Sequence, residues 1–363
     1  MDGSGNVQRR VPSAERQPDS LASAQLSAVP WASAIGAAAQ ARAQSLMQAL
    51  PSGAHLILEV SAEETARLAL GAPGGQVALW GSSWSVESVR ARTGAGGAGQ
   101  ILLRKHVPLG GLLSAAVVSR RQGYGFVSSP KCGNTAIKVA LWALEASRQT
   151  CDPLVRSMDV HVSGVQPGSP WLTYGQARPT EIADALERRP YLFAVVRNPF
   201  DRAISAYKGT AERDDLEHTS QLNWAGVWPP SFAEFLEALA GMDPGDMDIH
   251  WRPLADILQP KQVGYSRLLT TERLSEQFTQ AWHELGGEGL PPLPHLGVSQ
   301  FALDEVYNAH TEALVRQIYA EDFHLFGYSL DRADRYADPE KLWRLSSGHG
   351  ASRLVLDQLR AMH

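Results

Sequence analysis

Cysteine is scarce. Of 363 residues only Cys132 and Cys151 carry a thiol. Two cysteines exclude a disulfide framework and a four-cysteine zinc site, and the low count fits a reducing compartment. Long apolar runs are lacking as well. No stretch reaches the ~20 apolar residues of a membrane span. The nearest, residues 31–50, is broken by Gln40, Arg42, Gln44 and Gln48. The basic pair Arg9 and Arg10 is followed by the polar residues 12–19, where a secretory signal has an apolar core. The chain is therefore expected to be soluble and cytoplasmic. Excess positive charge is missing too: the formal net charge is -5, which argues against nucleic-acid binding by bulk charge. What is there is an ordinary globular mixture, 44% hydrophobic and 20% charged, with enough apolar material for a sizeable core.

Residues 1–30 are small, polar and without pattern, and read as a disordered tail. Residues 31–50 are Ala-rich and helical in pattern, stopped by Pro51 and Gly53. Strands are expected at 55–60, 76–80, 85–92 and 101–107, with a flexible turn at 94–99 and a short helix opened by Ser61 and Glu64. Together, residues 31–120 form an N-terminal accessory region of α+β character that carries no chemical constellation. From Tyr124 the grammar changes. A short apolar strand (124–128) runs into a loop and a helix with Ile137, Leu141 and Leu144 on one face. Residues 191–196 are continuously apolar, as in a buried parallel strand. Asn198 and Pro199 then suit the N-cap and first position of a helix. Further helices are expected after Ser231, which forms a capping box with Glu234, and over 304–319. This is an α/β pattern with a mainly parallel sheet flanked by helices, spanning 121–335. Residues 336–363 read as a C-terminal helical tail.

Ligands of such sheets bind at the carboxyl ends of the strands, and two segments sit there. In the first, Pro130-Lys131-Cys132-Gly133-Asn134-Thr135, a strand–loop–helix junction offers unpaired N–H groups to an anion. Gly133 allows close approach of the backbone, Thr135 adds a hydroxyl, and Lys131 a mobile charge. A nucleoside-triphosphate loop has Gly-Lys-[Ser/Thr] at its end. Here Lys131 precedes the glycine, so the site resembles a phosphate loop without being that one. In the second segment Arg197 ends a buried strand, where a guanidinium can grip a phosphate bidentately. Ser205 follows about two turns into the helix. Phe200, Ile204 and Tyr207 read as core, Asp201 as a favourable charge at the helix start, and Arg202 as solvated.

Taken together, these segments resemble the two motifs by which sulfotransferases bind PAPS, 3′-phosphoadenosine 5′-phosphosulfate. Residues 130–135 resemble the 5′-phosphosulfate loop, and residues 196–207 the 3′-phosphate motif. His161-Val162-Ser163, Ile249-His250-Trp251-Arg252-Pro253, the segment from Tyr265 to Glu272, and the run from Ile318 to Tyr328 are similar to elements of the carbohydrate (family 2) branch. The resemblance covers about residues 124–330.

The resemblance implies a P-loop-like nucleotide-binding fold, PAPS as co-substrate with no metal, and a hydroxyl-bearing acceptor, foremost a glycan. It implies Lys131 as the cation that stabilises the leaving phosphate and His161 as the general base, with His250 as second choice. Gly133, Asn134, Thr135 and Lys138 would hold the 5′ end, with Cys132 contributing its backbone. Arg197 and Ser205 would hold the 3′ end. The positive surroundings of Cys132 would also lower its thiol pKa. Trp251 reads as core or acceptor wall, and Asp322, Phe323, Phe326 and Tyr328 as holding the fold. The alternatives are a small-molecule or lipid hydroxyl as acceptor, an ATP-dependent kinase, and a non-catalytic nucleotide-binding protein.

Overall fold

The computed structural model describes residues 107, 109–148, 160–163, 165–173, 176–211, 229–288, 293, 306–346, 348 and 350–362, together with the strands of the N-terminal part. The chain divides into two units, Met1–His106 and Val107–His363. In the first, the described strands are β1 (Pro30–Trp31), β2 (His55–Val60), β3 (Trp84–Ala91) and β4 (Gly99–Lys105). They form one sheet in the order β1-β2-β4-β3, with β4 antiparallel to β2 and β3. Three of the four expected strands are there, shifted by at most a few residues. The Ala-rich helix beyond Trp31, the pair Ser61 and Glu64, and the strand at 76–80 lie outside the described residues.

The second unit opens with α1 (Leu109–Ala115), which runs directly into β5 (Ala116–Ser119). A turn closed by Gly123, in the left-handed region at φ 70°, returns the chain as β6 (Tyr124–Val127). Then come α2 (Asn134–Ser147), α3 (Val160–Ser163), β7 (Trp171–Thr173), α4 (Pro179–Glu187) and β8 (Tyr191–Val196). The sheet order is β10-β8-β6-β5-β7, where β10 is Arg267–Thr270. β8 is parallel to both neighbours, β6 and β10, whereas β5 is antiparallel to β6 and β7. Four strands thus point one way and β5 the other. Leu192 to Val196 are each at most 1% exposed; a central strand covered on both faces explains the unbroken apolar run.

After β8 follow α5 (Pro199–Ala211), α6 (Phe232–Ala240), α7 (Leu254–Leu258) and β9 (Val263–Gly264). After β10 come α8 (Leu274–Glu284), α9 (Ala309–Ile318), α10 (Ala320–Phe326), α11 (Pro339–Leu345), β11 (Gly350–Ala351) and α12 (Arg353–Ala361). The expected capping box before α6 is formed: Glu234 N–H donates to Ser231 Oγ (3.3 Å), and Ser231 N–H to Glu234 Oε2 (2.8 Å).

The observed division falls between His106 and Val107, upstream of the boundary expected at residue 120, because β5 is the hairpin partner of β6 and cannot leave its sheet. Residues 336–363 likewise join the body. β11 pairs with β9, Val355 and Leu359 are buried in the core, and the Gln358 side chain bonds both the N–H (3.0 Å) and the C=O (2.7 Å) of Val107.

The segment from Ile318 to Tyr328 acts as a clamp. Buried Asp322 accepts the N–H groups of Leu254 (2.9 Å) and Ala255 (2.7 Å) at the start of α7. Tyr319 OH donates to the carbonyl of Trp251 (2.9 Å). Asp322→Ala strands two buried donors, each worth about 1–3 kcal/mol when unsatisfied. A loss of about 3 kcal/mol in urea unfolding is expected; a change under about 0.5 kcal/mol would contradict the clamp.

Candidate active site

The carboxyl ends of β6, β8 and β10 meet at one edge of the sheet, and each contributes a short turn. After β6 the chain makes two left-handed steps, Lys131 (φ 65°) and Gly133 (φ 74°). Between them Cys132 is fully buried. Gly133 is required twice: for its φ, and because a Cβ there would lie 2.8 Å from Leu274 Cδ2 at the start of α8. Gly133 is also the N-cap of α2 and provides no side-chain hydrogen bond to the helix, so first-turn N–H groups are left for an anion. Asn134 Oδ1 accepts from Ser128 Oγ (2.5 Å), which fixes the orientation of the amide.

Arg197, at the end of β8, reaches across to this loop: its Nη1 donates to the Lys131 carbonyl (2.8 Å). Its neighbour Asn198 caps α5 as expected, with Oδ1 accepting from Phe200 N–H (3.0 Å). Asn198 N–H donates to Glu272 Oε1 (2.8 Å), and Tyr328 OH donates to Glu272 Oε2 (3.0 Å). One carboxylate beyond β10 therefore staples the end of β8 to the clamp, and burial raises its pKa. Ser205 lies half-buried on α5 and makes no hydrogen bond to Arg197 or to the loop among the described residues.

His161 in α3 comes to the first turns of α2. Its Nε2 is 3.0 Å from Thr135 Oγ1 and its Nδ1 is 3.5 Å from Lys138 Nζ. An ammonium only donates, so with Lys138 charged Nδ1 accepts and Nε2–H donates to Thr135. Burial lowers the Lys138 pKa to about 8, leaving the amine mostly charged at neutral pH. The His161 pKa is lowered below 6.5 by partial loss of water around the ring, then by the charges of Lys138 and His250. His250 makes a pair of its own: Nδ1 lies 2.6 Å from Asp248 Oδ1, which also accepts the His250 N–H (2.8 Å). A carboxylate at Nδ1 fixes the proton there and places the lone pair of the neutral ring on Nε2.

Two expectations are corrected. Arg202 is not solvated: it is fully buried beneath the His250 segment, where its Nη2 donates to the carbonyls of Ile249 (3.4 Å) and His250 (3.3 Å). The Cys132 thiol is not acidified. Burial pushes its pKa up to about 11, outweighing the attraction of Arg202 and Arg197. Trp251 is core, 1% exposed and edge-on to Phe235. Asp201 is buried in the first turn of α5 and pairs with Arg335. Sequence reasoning passed over Asp248, Glu272 as a staple, and Gly209, whose signal was a glycine inside an amphipathic helix.

So the loop after β6 and the turn after β8 form one edge rich in N–H and cationic donors, held from the turn after β10 by Glu272 and flanked by His161 and His250. The model of the Sulfotransferase family matches residues 115–329. The chain belongs to the sulfotransferase family. Among curated sulfotransferases it is similar to carbohydrate sulfotransferase 10 of Xenopus laevis, 24% identical over 251 residues, which are 60% of this chain and 68% of that protein. It is also similar to carbohydrate sulfotransferase 14 of Mus musculus and of Homo sapiens, each 29% identical over 184 residues, or 44% of this chain and 48% of theirs. The chain thus spans about two thirds of the first relative and about half of the others. No solved structure matches it. Among the described residues of this sulfotransferase, no helix is long and apolar enough to cross a membrane.

Proposed function

We propose that the chain transfers a sulfuryl group from PAPS to a hydroxyl of a carbohydrate. The observation that carries the reading is the bond from Arg197 Nη1 to the Lys131 carbonyl, which makes the two nucleotide-binding segments one site. The residues fit such a guest. Ser129 Oγ in the loop is buried without a hydrogen-bond partner among the described residues. The first turn of α2 has no side-chain cap. The donor set is N–H, O–H and cationic groups, as an anion requires.

Bound PAPS supplies the sulfuryl group, and the electron pair of its broken sulfur–oxygen bond stays on the 5′-phosphate. Lys131 stabilises the charge that grows on that leaving oxygen. Gly133, Asn134 and Thr135 orient the 5′ end, and Arg197 and Ser205 hold the 3′-phosphate. Lys138 turns from His161 Nδ1 to the 5′ end of the bound nucleotide, which frees that lone pair while Nε2–H stays on Thr135. His161 Nδ1 then takes the proton of the acceptor hydroxyl as the new sulfur–oxygen bond forms. The glycan acceptor is carried over from the names of the relatives.

The test is a thermal-unfolding titration with adenosine 3′,5′-bisphosphate, ADP and ATP. A ligand that binds only the native state stabilises it by about 2.7 kcal/mol at a hundredfold excess over Kd. A clear upward shift with the 3′,5′-bisphosphate and little with ADP or ATP is expected. Equal or larger shifts with ATP would overturn the 3′-phosphate role of Arg197 and Ser205.

A further inference from the structure

We propose that Gly209 is a positioning residue: the gap left by its missing side chain is the seat of the Lys131 ammonium. The inference rests on the role given to Lys131 above.

Gly209 lies in the last turn of α5, two residues before its end at Ala211. It is absent from the residues with positive φ, so the usual conformational reason for glycine does not apply. A glycine in the middle of a helix costs about 0.5–1 kcal/mol relative to alanine, and less in the last turn, so the space around the position decides what the glycine is for. A Cβ built there would overlap Lys131 Nζ and lie 3.1 Å from Lys131 Cε, and among the described residues outside its own helix it would meet no other heavy atom within 4 Å. Among those residues the space serves one side chain.

A second, independent irregularity points to the same group. Lys131 holds a left-handed backbone, a conformation that costs a non-glycine residue roughly 1–2 kcal/mol. Its carbonyl is fixed by Arg197. A left-handed backbone at Lys131, a side-chain gap at Gly209 and one cross-strand bond thus converge on the placement of a single lysine, its backbone held from β8 and its ammonium laid along α5. Ser205 is four residues before Gly209 and shares its face of the helix. The helix that bears the 3′-phosphate serine thereby also sets where the cation of the 5′ end stands. Gly209 acts through Lys131 and touches no reacting atom.

The test uses Gly209→Ala, Lys131→Ala and the double variant in the full chain. The added methyl meets only the flexible end of a lysine, so Gly209→Ala is expected to keep or raise Tm. Turnover is read as release of adenosine 3′,5′-bisphosphate from saturating PAPS with a mixed neutral-oligosaccharide pool. It is expected to fall at least tenfold in Gly209→Ala, with KM for PAPS changed less than threefold. The double variant is expected to be no slower than Lys131→Ala alone.

A second readout needs no acceptor. The 3′,5′-bisphosphate should protect Lys131 from acetic anhydride in the parent protein and fail to do so in Gly209→Ala, as read by peptide mass spectrometry. Parent-like turnover in Gly209→Ala, losses that multiply in the double variant, or equal protection in both proteins would each overturn the seat. Full turnover by Lys131→Ala alone would instead remove the role of Lys131, and this inference with it.

Discussion

Lys131→Ala is expected to lower turnover by about 10²–10³-fold, the usual loss when one preorganised charge partner of a transition state is removed. The effect should fall mainly on kcat. Negative charge on the bridging and leaving oxygens is greater in the transition state than in the bound donor, and only interactions that strengthen along the way accelerate the step. The nucleotide would still meet Gly133, the first turn of α2 and Arg197, so affinity for the 3′,5′-bisphosphate should change by less than about tenfold. Replacing Lys131 also removes a residue whose left-handed backbone is unfavourable, and alanine gains nothing there, so Tm should stay near its starting value. Steady-state kinetics with a parallel binding titration checks both halves. Retained kcat in the pure variant would strike Lys131 from the mechanism.

His161→Ala should cost about 10²–10⁴-fold in turnover, the range of general acid–base catalysis. Its pH signature is specific. A base works when deprotonated, and the His161 pKa is lowered from 6.5 by partial burial and by the charges of Lys138 and His250. The acid limb of kcat against pH should therefore lie below 6.5, and activity should persist into mildly acidic solution. His250→Ala is the control. Its ring is held by Asp248 at Nδ1 (2.6 Å), an arrangement that also orients a base. A smaller loss in His250→Ala, with the acid limb unmoved, is expected. A larger loss in His250→Ala than in His161→Ala would transfer the proton to the Asp248–His250 pair.

Much of the frame was legible because its signals are local. The apolar run of β8 announces a strand covered on both faces, and Asn198 with Pro199 announces the start of α5. Ser231 and Glu234 announce α6 through two reciprocal hydrogen bonds. The strand–turn–helix form of the segments around 130–135 and 197–205 was legible for the same reason, since each is written contiguously in sequence.

What escaped is whatever depends on two distant parts of the chain. Arg202 reads as a surface charge until α5 is packed under the His250 segment, where its guanidinium supports two carbonyls. The Cys132 thiol reads as acidified because arginines are near, yet burial outweighs them. Thr135 reads as a ligand donor, and only the fold brings His161 to its hydroxyl. Gly209 reads only as a glycine inside an amphipathic helix, because its neighbour through space, Lys131, lies 78 positions earlier.

Val107, the first residue of the larger unit, is bracketed by the side chain of Gln358, which comes 251 positions later. The strand Val263–Gly264 likewise waits for Gly350–Ala351. On the ribosome, the body that carries the site lacks these contacts while the late residues are still in the exit tunnel. Until then the apolar faces of α4 and β5 stand open to solvent, to chaperones and to each other. Contacts of such long sequence separation also slow folding, because loop entropy is lost before the contact rewards it. The body that carries the site therefore depends on contacts that the chain can make only after residues 350–358 have been synthesised, well after the segments at 130–135 and 197–205 have emerged.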